Sequence, residues 1–254
     1  HLHGFRYWET GNMLLSYGLV CDFFGVDADS GETTLWVKDL CVNVPGNMYD
    51  YKPSPSNAAT IGVYEKGNQF IIVQPGRMHS NIFGGDSRHV TMGIDTNTHE
   101  ILWRIFSAPP QGVQTKDWAL QECDNGYFHI YPCSDVAAKN QAGLEWDFAL
   151  EGEAPSMYAG VTANWGQLVV DEDTGMAYTQ TGNQGPYSNM SLAPGPRLYG
   201  STLYAIDLEK GIRAWWLQPF PHDPYDYDCN WSGILADTVA FGKVYIKGCK
   251  EGTF

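Results

Sequence analysis

Three stretches of the 254-residue sequence share one frame: an apolar residue, an aspartate, a turn, and then a tryptophan. Val26-Asp27-Ala28-Asp29-Ser30-Gly31 leads to Trp36, Ile94-Asp95-Thr96-Asn97-Thr98-His99 to Trp103, and Ile206-Asp207-Leu208-Glu209-Lys210-Gly211 to Trp215. The tryptophan follows the aspartate by eight residues in the last two copies and by nine in the first. Such a frame describes a β-hairpin whose Asp and Gly fold the turn and whose Trp packs on a neighbouring sheet. Hairpins repeated in this way build propeller blades, four-stranded sheets that bury their faces only against one another. The competing arrangement is three unrelated hairpins in a β-sandwich.

The rest of the chain supports an all-β reading. Helical periodicity is scarce, and short β-rich runs recur at 68–73, 166–170, 201–206 and 243–246, most of them bounded by Gly, Asn or Asp. The tryptophans of the frame are 67 and then 112 residues apart, so the longer interval holds extra chain. Residues 107–157, with Pro109-Pro110 and scattered polar residues, read as an irregular insertion on one face. The expectation is one partial, eight-bladed β-propeller domain over 1–254. Its blade units run roughly over 1–60, 61–106, 158–230 and an incomplete 231–254. Three to four blades are about half of such a disc, so the sequence reads as a piece of a longer chain that needs its remainder, or a partner copy, to close.

Charge narrows the function. Fifteen Lys and Arg against 29 Asp and Glu give a formal charge of −14, which disfavours nucleic-acid binding because phosphates call for a basic surface. No apolar run approaches the length of a membrane span. Six cysteines form no CxxC pair; their even number suits disulfides in an oxidising compartment, or small buried hydrophobes. Cys123 and Cys133 bracket a turn and are the expected bridge. Asn189-Met190-Ser191 and Asn230-Trp231-Ser232 are permitted glycosylation sequons.

Two segments are richer than a repeat requires. One runs from Trp165-Gly166 through a strand to Thr181-Gly182-Asn183-Gln184-Gly185-Pro186-Tyr187. The other is Pro221-His222-Asp223-Pro224-Tyr225-Asp226-Tyr227-Asp228-Cys229-Asn230. Together they set an aromatic plate, an amide oxygen and several carboxylates after strands, which are groups that a cation site or a general base uses.

These segments, in their order and among the Trp repeats, resemble the pyrroloquinoline quinone (PQQ)-dependent alcohol dehydrogenases, eight-bladed propellers that include methanol and ethanol dehydrogenases. The resemblance covers most of 20–254 and is weakest in 107–157. It implies that Trp165 forms the floor under the PQQ ring and that Asn183 binds the active-site cation, Ca²⁺ or a lanthanide. It implies that Asp226 is the catalytic aspartate, with a share in the metal, and that Asp228 could add a second carboxylate to the cation. Near the C-terminus, Lys250 stands where the family has a basic residue reaching the quinone oxygens, and Arg88 fits a family arginine. The family's cation-binding glutamate has no counterpart between Gly76 and His89, where Asp86 or Asn81 would have to substitute. The family's adjacent Cys-Cys pair is also absent.

The implied function is oxidation of an alcohol or sugar-like hydroxyl, with electrons passing to a cytochrome c-type acceptor, in a periplasmic or extracellular setting. The alternative is a non-catalytic propeller scaffold that has lost the cofactor.

Overall fold

A computed structural model of the chain describes residues 5–18, 22–38, 40, 60–74, 90–106, 166–183, 200–220, 223, 225 and 227–252. The insertion at 107–157 lies outside them. Fourteen strands and no helix occur among the described residues. They are β1 (Arg6–Trp8), β2 (Met13–Tyr17), β3 (Phe23–Asp27), β4 (Thr33–Val37), β5 (Thr60–Tyr64), β6 (Gln69–Gln74) and β7 (Val90–Asp95). They continue with β8 (Ile101–Phe106), β9 (Val169–Asp171), β10 (Met176–Gln180), β11 (Leu203–Asp207), β12 (Ile212–Leu217), β13 (Ile234–Thr238) and β14 (Gly242–Ile246). Each group of four forms an antiparallel meander in chain order, and β13 and β14 form a two-stranded sheet. The first strands meet in succession, β1 with β5, β5 with β9, and β9 with β13. Blades set around an axis, not closed into a ring, have this arrangement: a partial β-propeller.

Burial on both faces explains the sequence of the middle sheet. Phe70 and Ile72 pack toward the first sheet with Leu15, Phe23 and Leu35, while Ile71 and Val73 pack toward the third with Tyr204 and Ile206. Successive side chains of a strand point to opposite faces, so a strand covered on both sides reads as an unbroken apolar run.

The aspartate of the repeat folds the turn as its chemistry dictates. Asp27 accepts the amides of Asp29 and Ser30 at 3.1 and 2.7 Å, and Asp95 those of Asn97 and Thr98 at 2.8 and 2.7 Å. Gly31 and Gly211 close their turns with φ of 75° and 65°, and His99 takes the same left-handed seat at 62°.

Each outer hairpin then carries a register shift, at Gly25/Val26, Gly93/Ile94 and Ala205/Ile206. Beyond it, Gly93 faces Trp103 and Ala205 faces Trp215, but Gly25 faces Leu35. The extra residue in the first copy thus shifts its tryptophan to the opposite face of the strand. Leu35 takes the inner seat at 3 % exposure, and Trp36 lies outside at 54 %, donating to Asp22 at 3.2 Å.

Trp103 is the docked form of the repeat tryptophan. Its indole donates to Gln69 Oε1 at 3.0 Å, and Gln69 Nε2 donates to the carbonyl of Leu208 in the next sheet at 2.9 Å. A Cβ on Gly211 would meet the Trp103 ring at 2.4 Å, so the turn glycine of one sheet is the seat for the tryptophan of the preceding one.

Strand alternation gives the molecule two unlike ends. The tight turns of every hairpin, at 9–12, 28–32, 65–68, 96–100, 172–175, 208–211 and 239–241, share one end. The strands β2, β6, β10, β12 and β14 finish at the other, where the chain re-enters through β3, β7, β11 and β13.

Candidate functional site

Every described residue that the sequence marks for chemistry falls at that second, loop-bearing end. Asn183 follows β10. The β10–β11 ladder runs on past Gln180 through Thr181 N–H to the Thr202 carbonyl at 2.9 Å and Ser201 N–H to the Gly182 carbonyl at 2.8 Å. Thr181 Oγ1 accepts the amide of Thr202 at 3.1 Å. This extension delivers Asn183 into a buried position at 6 % exposure.

The segment after β12 is folded by a residue that the sequence reading did not single out. Asp223 is 1 % exposed, and its two carboxylate oxygens accept the amides of Tyr225 and Tyr227 at 2.9 and 2.8 Å. It therefore anchors the chain on both sides of position 226. An aspartate followed directly by proline, as in Asp223-Pro224, is a local turn signal, which is how the sequence could have revealed it. The rings of Phe220, Tyr227 and Tyr225 meet in succession at tilted angles, with centroids 4.9 and 5.3 Å apart.

Asp228 and Lys250 come together. Their side chains form an ion pair, and the amide of Lys250 donates to the carbonyl of Tyr227 at 3.2 Å. Asp228 has φ of 48°, uncommon for a residue other than glycine. Next to the pair a disulfide joins Cys229 to Cys249, Cα atoms 4.6 Å apart across 20 residues of sequence. The bridge expected between Cys123 and Cys133 lies outside the described residues. Beyond β14, burial lowers the half-buried Lys247 ammonium to about 8, against the upward pull of Glu251.

A third contact brings in the strand that follows Trp165. A Cβ on Gly166 would lie 2.1 Å from Gln180 Nε2, 2.5 Å from the Ser232 amide and 2.6 Å from the Asn230 carbonyl, so only glycine fits. Gln180 Nε2 donates to the Asn230 carbonyl at 3.1 Å, and the Gln167 amide donates to Ser232 Oγ at 2.7 Å. The segments around 166, 180 and 230 are thereby locked into one unit. Asn230 is fully buried, which overturns its sequon as an accessible acceptor; Asn189 lies outside the described residues.

Trp165, Arg88 and Asp226 also lie outside them, so the structure brings together Asp228 and Lys250 and places Asn183 at the same end. Their donor set is a carboxamide, a carboxylate and an ammonium. Carboxamide and carboxylate oxygens suit a hard cation, and an ammonium suits the oxygens of an anionic quinone, so these residues fit the groups that the resemblance implies.

Comparison with known proteins bears on the family-level resemblance. Residues 139–247 match the family model "PQQ: Glucose/ethanol/alcohol dehydrogenase, beta-propeller domain". Methanol dehydrogenase [cytochrome c] subunit 1 of Methylorubrum extorquens is 26% identical over 235 residues, covering 88% of this chain and 31% of its own length. Among solved structures, the quinohemoprotein alcohol dehydrogenase of Comamonas testosteroni superposes with a TM-score of 0.62 at 21% identity, over 97% of this chain and 32% of that one. A europium-containing methanol dehydrogenase superposes with a TM-score of 0.58 at 18% identity, over 98% of this chain and 37% of that one. The chain thus spans about a third of the length of these relatives. Repeat and blade order make the chain a partial β-propeller, and the family model and relatives make it similar to the PQQ-dependent alcohol dehydrogenases.

Proposed function

We propose that this chain is part of a quinoprotein dehydrogenase that oxidises an alcohol or sugar-like hydroxyl. In this reading PQQ and a cation, calcium or a lanthanide, sit at the loop-bearing end. Electrons leave to a cytochrome c-type acceptor, in the periplasm or outside the cell. The observation that carries the reading is the convergence of Asn183, the Asp223-ordered segment and the Asp228–Lys250 pair at one end of the blades.

Each side chain then has a task. Asp226, between two amides anchored by Asp223, takes the hydroxyl proton as general base. Asn183 offers its carboxamide oxygen to the cation, and Asp228 a carboxylate. Lys250 neutralises Asp228 and presents its charge to the cofactor's oxygens, while Trp165 supplies the flat surface beneath it. When bound, PQQ supplies the two-electron acceptor and the cation polarises its carbonyl.

The test uses the full-length protein reconstituted with PQQ and Ca²⁺ or a lanthanide. Quinone absorbance should appear, and an artificial dye should be reduced when an alcohol is added. Asp226→Asn should lower turnover by at least ~100-fold, within the range for removal of a general base, while leaving the cofactor bound. The absence of a family glutamate between Gly76 and His89 favours a scaffold instead. That alternative requires no PQQ binding with any metal.

A further inference from the structure

The segments 223–230 and 247–252 are separated by the β13–β14 hairpin, yet the contacts between them include three at adjacent positions. Asp228 immediately precedes Cys229, and Lys250 immediately follows Cys249, so the ion pair flanks the disulfide. The third link is the 3.2 Å bond from the Lys250 amide to the Tyr227 carbonyl. The ion pair is a weak holder. Lys250 is 46% exposed and Asp228 20%, a setting in which ion pairs contribute little by themselves. Asp228 is also in a sparsely populated backbone region at φ 48°, which persists only where the surroundings impose it.

We propose that the Cys229–Cys249 disulfide is a redox-operated clasp on the cofactor site. Intact, it holds Asp228 and Lys250 together in the arrangement that binds the quinone and its cation; opened by a dithiol reductant, it lets the two segments part and the site loses affinity. The consequence for binding rests on the proposed function above. Cys249 is half-buried and Cys229 is 1 % exposed, so attack falls on Cys249. A thiolate of the reductant bonds to Cys249 Sγ, the S–S bond breaks, and Cys229 leaves as a thiolate that takes up a proton. The reductant's second thiolate then attacks its own sulfur in the mixed disulfide. That step releases Cys249, which is protonated in turn, and leaves the reductant as a disulfide. Two electrons and two protons pass to the protein.

The experiment compares the full-length protein with its Cys229→Ser/Cys249→Ser variant. If that variant does not fold, native protein reduced by a phosphine, alkylated and freed of reagent takes its place. Amide hydrogen exchange is followed without cofactor, and PQQ is titrated in the presence of Ca²⁺. Opening the clasp should accelerate exchange at the Lys250 amide by tenfold or more while Tyr204 and Ile206 in β11 are unaffected. The dissociation constant for PQQ should rise by a similar factor. Unchanged exchange at Lys250 overturns the clasp. Faster exchange with unchanged PQQ affinity overturns its control of the site. Failure of the disulfide-bonded protein to bind PQQ overturns the proposed function and the consequence drawn from it. That outcome is told apart because the exchange difference, present or absent, still decides whether the disulfide holds the segments.

Discussion

A single buried carboxylate, Asp223, does for the segment after β12 what Asp27 and Asp95 do for the repeat turns: it collects backbone amides that would otherwise be lost in a turn. Lys247 shows the opposite economy, a cation held where water is scarce. Its folded-state value of about 8 lies below the ordinary 10.5, so the folded form binds its proton less readily than the unfolded chain does. The penalty is fully present below about 8 and is relieved as pH rises from there toward 10.5. Lys247→Met should therefore raise Tm at pH 7, with the gain shrinking between pH 8 and 10.5. Thermal unfolding at pH 7 and pH 10 checks this, and an equal gain at both pH values would contradict it.

Between elements, Trp103 is where one sheet's tryptophan meets the next sheet's turn. Trp103 fills the space over Gly211 and ties Gln69 to Leu208, whereas Trp36 lies on the surface. Trp103→Ala should destabilise by about 3–5 kcal/mol, the range for a buried aromatic, and Trp36→Ala by about 0.5 kcal/mol. Denaturant titration of the two variants separates these outcomes. The hairpins and their Asp turns were legible in the sequence because their chemistry is local. The displaced register of Trp36 was signalled by the nine-residue spacing, yet its meaning depends on a strand pairing that only the structure reveals. Less legible still were the contacts between sheets. Trp8 donates to Glu65 Oε1 at 2.7 Å, the Glu172 carboxylate accepts the amides of Glu65 and Lys66, and Lys243 bonds Asp171 at 2.8 Å. Residues 57 to 107 positions apart make these contacts, and no local pattern announces them. The Cys229–Cys249 pairing was hidden for the same reason, since it closes around a whole hairpin. Of the candidate site, Asn183, Asp228 and Lys250 could be named from their motifs, but the contact between the last two could not.

At the scale of the molecule, acidic groups crowd the end that carries the turns. Asp27, Asp95 and Asp171 all sit there, and hydrogen bonds from turn amides and side chains hold each carboxyl below its usual range, for Asp171 in spite of burial. They stay ionised at neutral pH and contribute to a formal charge of −14. Self-repulsion of that size is sensitive to screening, whose range falls from roughly 30 Å at 0.01 M salt to about 8 Å at 0.15 M. The Tm of the chain should therefore rise on the order of a few degrees over that interval of NaCl at pH 7. A calorimetric salt series would register the trend, and a flat or falling series would contradict it.

The split between a turn-bearing and a loop-bearing end also matters for anyone attaching the protein to something else. The turn at 28–32, exposed at every residue, lies a full strand length from the ends of β10, β12 and β14. A linker joined there to an electrode or a bead would hold the propeller with its loop-bearing end facing outward. The same linker placed near Asp228 would cover that end instead.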